Sequence, residues 1–288
     1  MPNGIIIIDK PAGWTSMDVC AKLRGVFHEK RVGHGGTLDP MATGVLPVFV
    51  GRATRAVEFA ENGRKEYLAG LRLGVTTDTQ DVTGTVLETR PVTAAREDLE
   101  AALERFRGEI EQIPPMYSAV KVQGKKLYEL ARRGKEVERK PRPVTIHELE
   151  LLEAVSETDF RLRCLCSKGT YIRTLCHDIG QALDCGGTLY SLRRTMAAGF
   201  TLADAVTLEE VREQGEALLW PLDSLFAGYP AVTLRSPGQE KRVRSGAPVT
   251  LPGTADGTYR VYGREGDFLC LSRAVGGELK SVKNFFGA

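Results

Sequence analysis

The sequence of 288 residues lacks the features of a membrane or secreted protein. No run of about 18 apolar residues occurs, so no segment is long enough to cross a bilayer as a helix. The N-terminus has no basic start followed by an apolar run and a small-residue cleavage site. Instead an acid, Asp9, follows residues 5–8 directly, which indicates a buried strand and not a signal peptide.

Metal-binding and disulfide patterns are also missing. No two of the six cysteines have the Cys-x-x-Cys spacing, so neither a zinc site nor a disulfide framework is indicated, and a reducing cytoplasm is the expected compartment. The polar residues 76–84 lack the spacing of a calcium loop, so no metal is expected. Internal repeats and low-complexity tracts are absent. What remains is an ordinary globular composition, with a length that accommodates two domains.

Net charge is small, only +2, but the basic residues are unevenly distributed. Residues 121–142 hold nine Lys or Arg against three Glu. A local patch of this kind can neutralise the phosphates of a nucleic acid. A solvated helix face would have the same composition, so the patch alone does not decide between the two.

Hydrophobic periodicity predicts alternating strands and helices up to about residue 225 and short strands after it. A helix capped by Ser16 is expected after the first strand, and Thr207 with Glu210 forms a capping box for a later helix. Strands are predicted at 5–9 (a central strand), 44–50, 65–73, 144–153 and 159–166, and helices at 52–61, 94–107 and 125–133 and from Thr170 onward. The short strands at 248–251, 258–262, 268–271 and 279–285 predict a small β-barrel.

Residues 33–40, Gly-His-Gly-Gly-Thr-Leu-Asp-Pro, hold a single carboxylate in a glycine-rich loop. Gly35 and Gly36 permit backbone angles that let a large ligand approach closely. Pro40 keeps Asp39 out of helical geometry. A carboxylate presented in this way suits a nucleophile, a base or a metal ligand, although a turn aspartate that caps its own backbone has the same pattern.

Four further blocks accompany this loop, at residues 4–16, 64–67, 112–121 and 167–173. In this order they resemble the TruB family, the bacterial tRNA pseudouridine-55 synthases. The resemblance implies conversion of a uridine in the T-loop of tRNA to pseudouridine by base flipping. It implies no cofactor, no metal, no guide RNA and no obligatory protein partner, in a cytoplasmic monomer.

The resemblance also implies a fold and a domain organisation. The fold would be α/β (α+β), built around a mixed, largely antiparallel sheet. Residues 1–228 would form the catalytic domain, with an RNA-binding thumb at about 117–142. Residues 229–288 would form a PUA-like RNA-binding β-barrel.

Three residues match the catalytic positions of the family. Asp39 would attack as a nucleophile, or would promote formation of a glycal by assisting loss of a ribose proton. Arg173 would pair with Asp39. Its place in the first turn of a predicted helix agrees, because the helix dipole disfavours a cation there and a carboxylate would offset this. Tyr67 would stack on the flipped uracil or transfer a proton through its hydroxyl. A helix-end arginine in water and a half-buried strand tyrosine are the plainer interpretations.

Other residues match RNA-contact or supporting positions. His34 would fill the space that the flipped base leaves, and Lys10 would support the catalytic loop. Tyr117 and Lys121 open the thumb. Further candidate RNA contacts are Lys125, Lys126, Arg132, Arg133, Lys168 and Arg242. Two alternatives stay open: a guide-dependent, dyskerin-like pseudouridine synthase, and a non-catalytic RNA-binding or RNA-folding protein. The basic segment favours the stand-alone enzyme, because guided relatives lack the thumb.

Overall fold

The computed structural model describes residues 1–122 and 124–286. The strands within these ranges are β1 Gly4–Lys10, β2 Val32–His34, β3 Thr43–Val50, β4 Lys65–Leu73, β5 Val75–Thr77, β6 Val86–Thr89, β7 Gly108–Gln112, β8 Lys121–Val122, β9 Lys125–Lys126, β10 Arg142–Ala154, β11 Asp159–Cys166, β12 Gly187–Ala197, β13 Phe200–Thr201, β14 Ala231–Thr233, β15 Val249–Thr250, β16 Gly257–Tyr262, β17 Phe268–Val275 and β18 Glu278–Asn284. The α-helices are α1 Ser16–Phe27, α2 Val57–Glu61, α3 Arg96–Glu104, α4 Leu127–Ala131, α5 Ile172–Ala182, α6 Leu208–Gln214 and α7 Pro237–Arg244. Short 3-10 turns cover Gly51–Ala56, Leu202–Asp204, Gly215–Leu218 and Leu222–Phe226.

One large sheet carries most of the chain, with the strand order β1-β3-β12-β4-β11-β10-β7. Strand β2 also pairs with β3, and β13 pairs with β12. Neighbouring strands run antiparallel except β3 and β12, which are parallel. The predicted mixed, largely antiparallel sheet is therefore confirmed.

Strand β1 lies at the end of this sheet, so its prediction as a central strand is wrong. Its four isoleucines are nevertheless fully buried, because both faces are covered by hydrophobic clusters. The free edge is also occupied: Ile5 exchanges backbone hydrogen bonds with Trp220, and Val206 bonds to Ile7 and Asp9. A covered edge strand has the same continuous apolar pattern as a central one.

The residue that caps helix α1 lies one position earlier than predicted. Thr15, and not Ser16, is the N-cap residue, and it forms a capping box with Asp18. Ser16 is buried, and its hydroxyl bonds both the amide and the carbonyl of Leu38, next to Asp39. Ser16 thus fixes the loop that carries Asp39 to the helix instead of capping the helix.

The C-terminal strands form a separate five-stranded sheet in the order β14-β16-β17-β18-β15, which agrees with the predicted small PUA-like unit. Helix α7 accompanies this sheet and was not predicted. An aromatic cluster joins the unit to the rest of the chain: Phe226 contacts Phe268 and Phe285, and Phe59 contacts Phe285, with ring centroids 5.6 to 6.4 Å apart. Buried aromatic contacts of this kind are strong, so the two parts are held together.

No helix in the described part of the chain is long and apolar enough to cross a membrane.

Candidate active site

Asp39 lies on the loop that joins β2 to β3. Lys10 Nζ donates hydrogen bonds to the carbonyls of Pro11, Trp14 and Pro40, at 2.8, 2.7 and 3.3 Å. The amide of Gly13 also bonds the Pro40 carbonyl. Together with the Ser16 contact to Leu38, these bonds fix the backbone on both sides of Asp39, so the carboxylate is held on a rigid turn.

Arg173 meets Asp39 in a two-pronged ion pair. Its Nε lies 3.0 Å from one carboxylate oxygen, and its Nη2 lies 3.4 Å from the other. The Arg173 side chain is 6% exposed and that of Asp39 is 35% exposed. The arginine therefore lies behind the carboxylate, and the carboxylate edge remains open to a ligand. This two-pronged geometry orients as well as attracts.

Arg173 occupies the first turn of α5, as predicted, although α5 begins at Ile172 and not at Thr170. The remaining donors of its guanidinium reach backbone carbonyls: Nη1 bonds Thr79 at 3.1 Å, and Nη2 bonds Tyr117 at 2.9 Å. Tyr117 thus meets the site through its carbonyl. Together these contacts hold the guanidinium in one orientation. The interpretation of Arg173 as a helix-end arginine in water is therefore excluded.

A second carboxylate, Asp81, contacts the same arginine. Its oxygen lies 3.7 Å from Arg173 Nη1, and its side chain is 6% exposed. The hydroxyls of Thr79 and Thr83 donate to Asp81. The turn docks on β12 because the Val82 amide donates to the Leu189 carbonyl and the Leu189 amide donates to the Gln80 carbonyl. Sequence reasoning missed Asp81. It lies in the polar residues 76–84, which lack the spacing of a calcium loop and therefore gave no sign of a functional carboxylate. No periodic pattern indicates that this turn folds inward.

The electrostatics of the site act on Asp39 in opposite directions. Burial raises the pKa of Asp39 above its ordinary value of 3.8, and the Arg173 guanidinium opposes that rise. Asp81 raises the pKa of Asp39 further, and Lys10 lowers it. Burial also lowers the pKa of the Lys10 ammonium to about 8, while Asp39 opposes that fall. Asp39 is therefore a more basic carboxylate than a free aspartate.

Tyr67 lies in β4 next to β11 and β12 and is 6% exposed. Burial raises the pKa of its phenol to about 12, so the hydroxyl stays protonated at neutral pH. Its cross-strand neighbour in β12 is Arg194, whose cation lies close enough to oppose this rise. Sequence reasoning missed Arg194, which is fully buried.

His34 ends β2, and its imidazole Nδ1 is buried with no hydrogen-bond partner in the described residues. Burial lowers the pKa of His34, and the Arg194 cation lowers it further. The imidazole is therefore neutral at neutral pH. A buried polar atom without a partner is uncommon.

The segment predicted to form the basic thumb contains the β8–β9 hairpin and helix α4. Lys121 and Lys126 are direct cross-strand partners in the β8–β9 hairpin, an arrangement that like charges disfavour unless an anion lies nearby. Lys126 and Arg132 approach the ring of Tyr128 to 5.4 and 5.5 Å. Lys121, Lys125, Arg132 and Arg133 are exposed or half-buried at the surface. Gln123, within the predicted thumb, lies outside the described residues.

Two other predicted RNA contacts lie apart from this group. Lys168, in the loop before α5, donates to the side-chain oxygen of Asn62 at 2.6 Å. Arg242, on α7 of the C-terminal unit, donates through Nε to the Pro248 carbonyl at 2.9 Å. Both are exposed. Within residues 1–122 and 124–286, no three His, Cys, Asp or Glu side chains group in a way that could hold a metal ion.

Known family models and relatives match this chain over most of its length. The model of the TruB family pseudouridylate synthase N-terminal domain matches residues 24–172, and that of the tRNA pseudouridylate synthase B C-terminal domain matches residues 173–227. The tRNA pseudouridine synthase B of Clostridium kluyveri is 43% identical over 289 residues, which cover 98% of this chain and 99% of that protein. The enzyme of the same name from an Azoarcus species is 46% identical over 282 residues, 96% and 93% of the two chains.

This chain also resembles a chain of known structure. A chain in the crystal structure of a Cbf5-Nop10-Gar1 complex superposes with a TM-score of 0.74 at 26% sequence identity. The match covers 98% of this chain and 85% of that chain.

Proposed function

The chain belongs to the TruB family of pseudouridylate synthases, and on that premise we propose that it converts a uridine in the T-loop of tRNA to pseudouridine. The observation that carries this proposal is the two-pronged pair of Asp39 with Arg173, on a rigid loop whose carboxylate edge is open. The reaction breaks the C1′–N1 bond and forms a C1′–C5 bond. The target base must leave its stack to reach a carboxylate on the protein.

The geometry supports a direct chemical role for Asp39. Its side chain is exposed only along one edge, and burial makes it more basic than a free aspartate. A more basic carboxylate is a better nucleophile towards C1′ and a better acceptor of a ribose proton, so both routes remain compatible with the site. In either route the proton lost from C5 is balanced by the proton gained at N1, and no cofactor is consumed.

Tyr67 and His34 fit supporting roles. Tyr67 is neutral at neutral pH, so its phenol can donate a hydrogen bond to the uracil or present its ring for stacking. His34 is also neutral, so it can fill the space that the flipped base leaves without carrying a charge. Lys10 acts on the loop and not on the substrate, because all of its hydrogen bonds go to backbone carbonyls.

Affinity for tRNA would come from basic surfaces outside the catalytic pair. The facing lysines of the β8–β9 hairpin favour a bound phosphate between or beside them. We propose residues 1–228 as the catalytic domain and 229–288 as a PUA-like RNA-binding domain, where α7 presents Lys241, Arg242 and Arg244. A tRNA substrate implies a cytoplasmic enzyme, and six cysteines that are all free and buried agree with a reducing compartment.

A stand-alone enzyme is favoured over a guided one. The two tRNA pseudouridine synthase B enzymes are 43% and 46% identical to this chain, whereas the chain from the Cbf5-Nop10-Gar1 complex is 26% identical. The basic thumb supplies an RNA-binding surface within the chain itself. A binding protein without activity has no need for a buried arginine that orients an open carboxylate.

The decisive experiment uses the purified protein and an unmodified tRNA transcript that carries tritium at uracil C5. Release of about one tritium per tRNA, without guide RNA or added protein, is expected, because the C5 proton is lost in the isomerisation. A transcript with cytidine at the T-loop target should release none. Asp39→Asn serves as the inactive control. Release only after addition of a guide RNA would favour the dyskerin-like alternative, and no release by folded protein would overturn the proposal.

A further inference from the structure

Arg194 is a charged side chain with no exposed surface. It lies in β12, where this strand pairs with β3 on one side and β4 on the other. Its relative exposure is 0%, and it is the largest of the fully buried side chains. None of the ion pairs in the described part of the chain includes Arg194. A buried charge without a carboxylate opposes folding unless its donors are satisfied in another way.

Three backbone carbonyls satisfy those donors. Nε bonds Val45 at 2.7 Å, Nη1 reaches Thr37 at 3.4 Å and Nη2 reaches Gly36 at 3.2 Å. Gly36 and Thr37 directly precede Leu38 and Asp39 in the loop. A planar guanidinium can donate to three acceptors that lie in different directions, which an ammonium on a single stem does with difficulty.

The same side chain contacts Tyr67. Arg194 and Tyr67 are opposite residues in the antiparallel β12–β4 pair, so their side chains share one face of the sheet. Arg194 is also near enough to act on the charge state of the phenol. One side chain therefore bonds the loop that carries the carboxylate and lies beside the tyrosine proposed to meet the base.

The surrounding backbone is built closely around this arginine. A Cβ on Gly44 would lie 2.2 Å from the Arg194 carbonyl, so only glycine allows β3 to approach β12 here. Gly36 has a φ of +118°, and a Cβ there would lie 3.3 Å from Lys65 Cε and 3.6 Å from Arg194 Nη1. Gly44 thus lets the backbone of β3 approach that of Arg194, and Gly36 lies beside the guanidinium.

We propose that Arg194 is a positioning residue for the pseudouridine synthase reaction: its guanidinium sets the distance between the Asp39 loop and Tyr67. Arg194 does not reach the substrate, because it is fully buried. Its loss should therefore slow the chemical step, while tRNA still binds through the distant basic surfaces. This inference rests on the proposed function and assigns a residue that supports the same site.

Arg194→Met tests this directly, because methionine keeps much of the chain length and removes the donors and the charge. The matched control is Arg193→Met, one residue earlier in β12. Arg193 points away from Arg194 and forms a half-exposed ion pair with Asp9. Single-turnover rates with enzyme in excess, tRNA affinity and thermal unfolding should be measured for both variants, at a temperature below both unfolding midpoints.

The expected result for Arg194→Met is a rate loss of about 100-fold, as for displacement of a reacting group by about 1 Å, with tRNA affinity within about twofold of wild type. Arg193→Met should stay within about threefold of the wild-type rate. A rate near wild type in folded Arg194→Met would overturn the inference. So would a rate loss matched by an equal loss of affinity, because that would indicate general disruption.

Arg194→Lys covers the case in which Arg194→Met does not fold. Lysine keeps the charge but cannot reach all three carbonyls, so a loss of at least about tenfold in rate at unchanged affinity is expected. Full activity of Arg194→Lys would overturn the inference. Inactive wild-type protein would instead overturn the proposed function, so the two failures are distinguishable.

Discussion

Arg173 faces both carboxylate oxygens of Asp39, through Nε at 3.0 Å and Nη2 at 3.4 Å, although 134 positions separate the two residues. The arginine is buried and the carboxylate is open along one edge. This relationship fixes the direction from which a base can approach Asp39, so a change in either residue should alter the chemical step.

Asp39→Asn should abolish pseudouridine formation and leave tRNA affinity within about twofold of wild type. Asparagine keeps the shape of the side chain but can neither attack C1′ nor accept a proton, whereas affinity depends on phosphate contacts elsewhere. Tritium release and filter binding with the same tRNA check the two parts. Measurable multiple turnover by Asp39→Asn would contradict the proposed role.

Asp39→Asn should also become more stable relative to wild type as the pH rises. The pKa of Asp39 is raised in the folded state, so the folded protein binds this proton more tightly than the unfolded chain does. Raising the pH above the ordinary value of 3.8 and through the raised value therefore lowers the wild-type free energy of unfolding, by up to about 1.4 kcal/mol for each pH unit crossed. Asparagine does not titrate and avoids that loss.

Urea unfolding of both proteins between about pH 4 and pH 7 measures this difference. The free energies of unfolding of the two proteins should differ by a constant amount because the contact with Arg173 is altered. Only the way in which this difference changes with pH tests the prediction. Parallel curves would mean that the folded-state pKa of Asp39 is not raised.

Removal of the Arg173 guanidinium should cripple turnover and shift its pH dependence. Arg173→Ala takes away the cation that opposes the raised pKa of Asp39, so that pKa should rise further and the acid limb of the rate profile should move to higher pH. Arg173→Lys should lose on the order of 100-fold in rate, because a point charge cannot replace the two-pronged pair and the bonds to Thr79 and Tyr117.

The stability of the double variant provides a separate check on this pair. Arg173→Ala combined with Asp39→Asn should lose less stability than the two single losses added together, because the shared interaction is counted twice in that sum. Additive losses together with near-normal turnover in Arg173→Lys would contradict a direct pairing.

Tyr67→Phe separates the ring from the hydroxyl. The phenol is buried and protonated at neutral pH, next to Arg194. We expect Tyr67→Phe to lose about 100-fold or more in single-turnover rate, within the range for loss of one acid–base or hydrogen-bonding group, and to bind tRNA better than Tyr67→Ala. Full activity of Tyr67→Phe would restrict Tyr67 to stacking or to the hydrophobic core.

Periodicity predicted the elements that carry the site better than it predicted their arrangement. The alternating pattern of residues 65–73 and 159–166 gave the bounds of β4 and β11 as the structure has them. The meeting of Asp39 and Arg173 came from the resemblance to a family and not from any local pattern. Local patterns describe the burial of one element, whereas this pair depends on the order of strands in the sheet.

Strand β12 shows why the sequence did not predict the role of Arg194. Its register shifts between Leu189 and Ser191 and again between Arg194 and Met196, so the twofold alternation that marks a strand is interrupted twice. Arg194 also looks like a surface residue in the sequence, because arginine is rarely fully buried. Its burial follows from the carbonyls of a distant loop, which no pattern within β12 indicates.

The thumb should contribute the salt-dependent part of tRNA binding. Charge reversal of Lys125, Lys126, Arg132 and Arg133 should weaken binding and flatten the plot of log K against log salt. The slope should fall by about 0.9 for each duplex phosphate that the variant no longer neutralises, and by about 0.7 for a single-stranded one.

Arg96→Glu on α3, where Arg96 is half-exposed and paired with Glu100, is the matched control and should leave the slope unchanged. The single-turnover rate at saturating enzyme should fall much less than the affinity, because these residues do not contact Asp39 or Arg173. An unchanged slope in the fourfold variant would mean that the thumb is only a solvated basic surface, and the RNA-binding residues would then have to lie elsewhere.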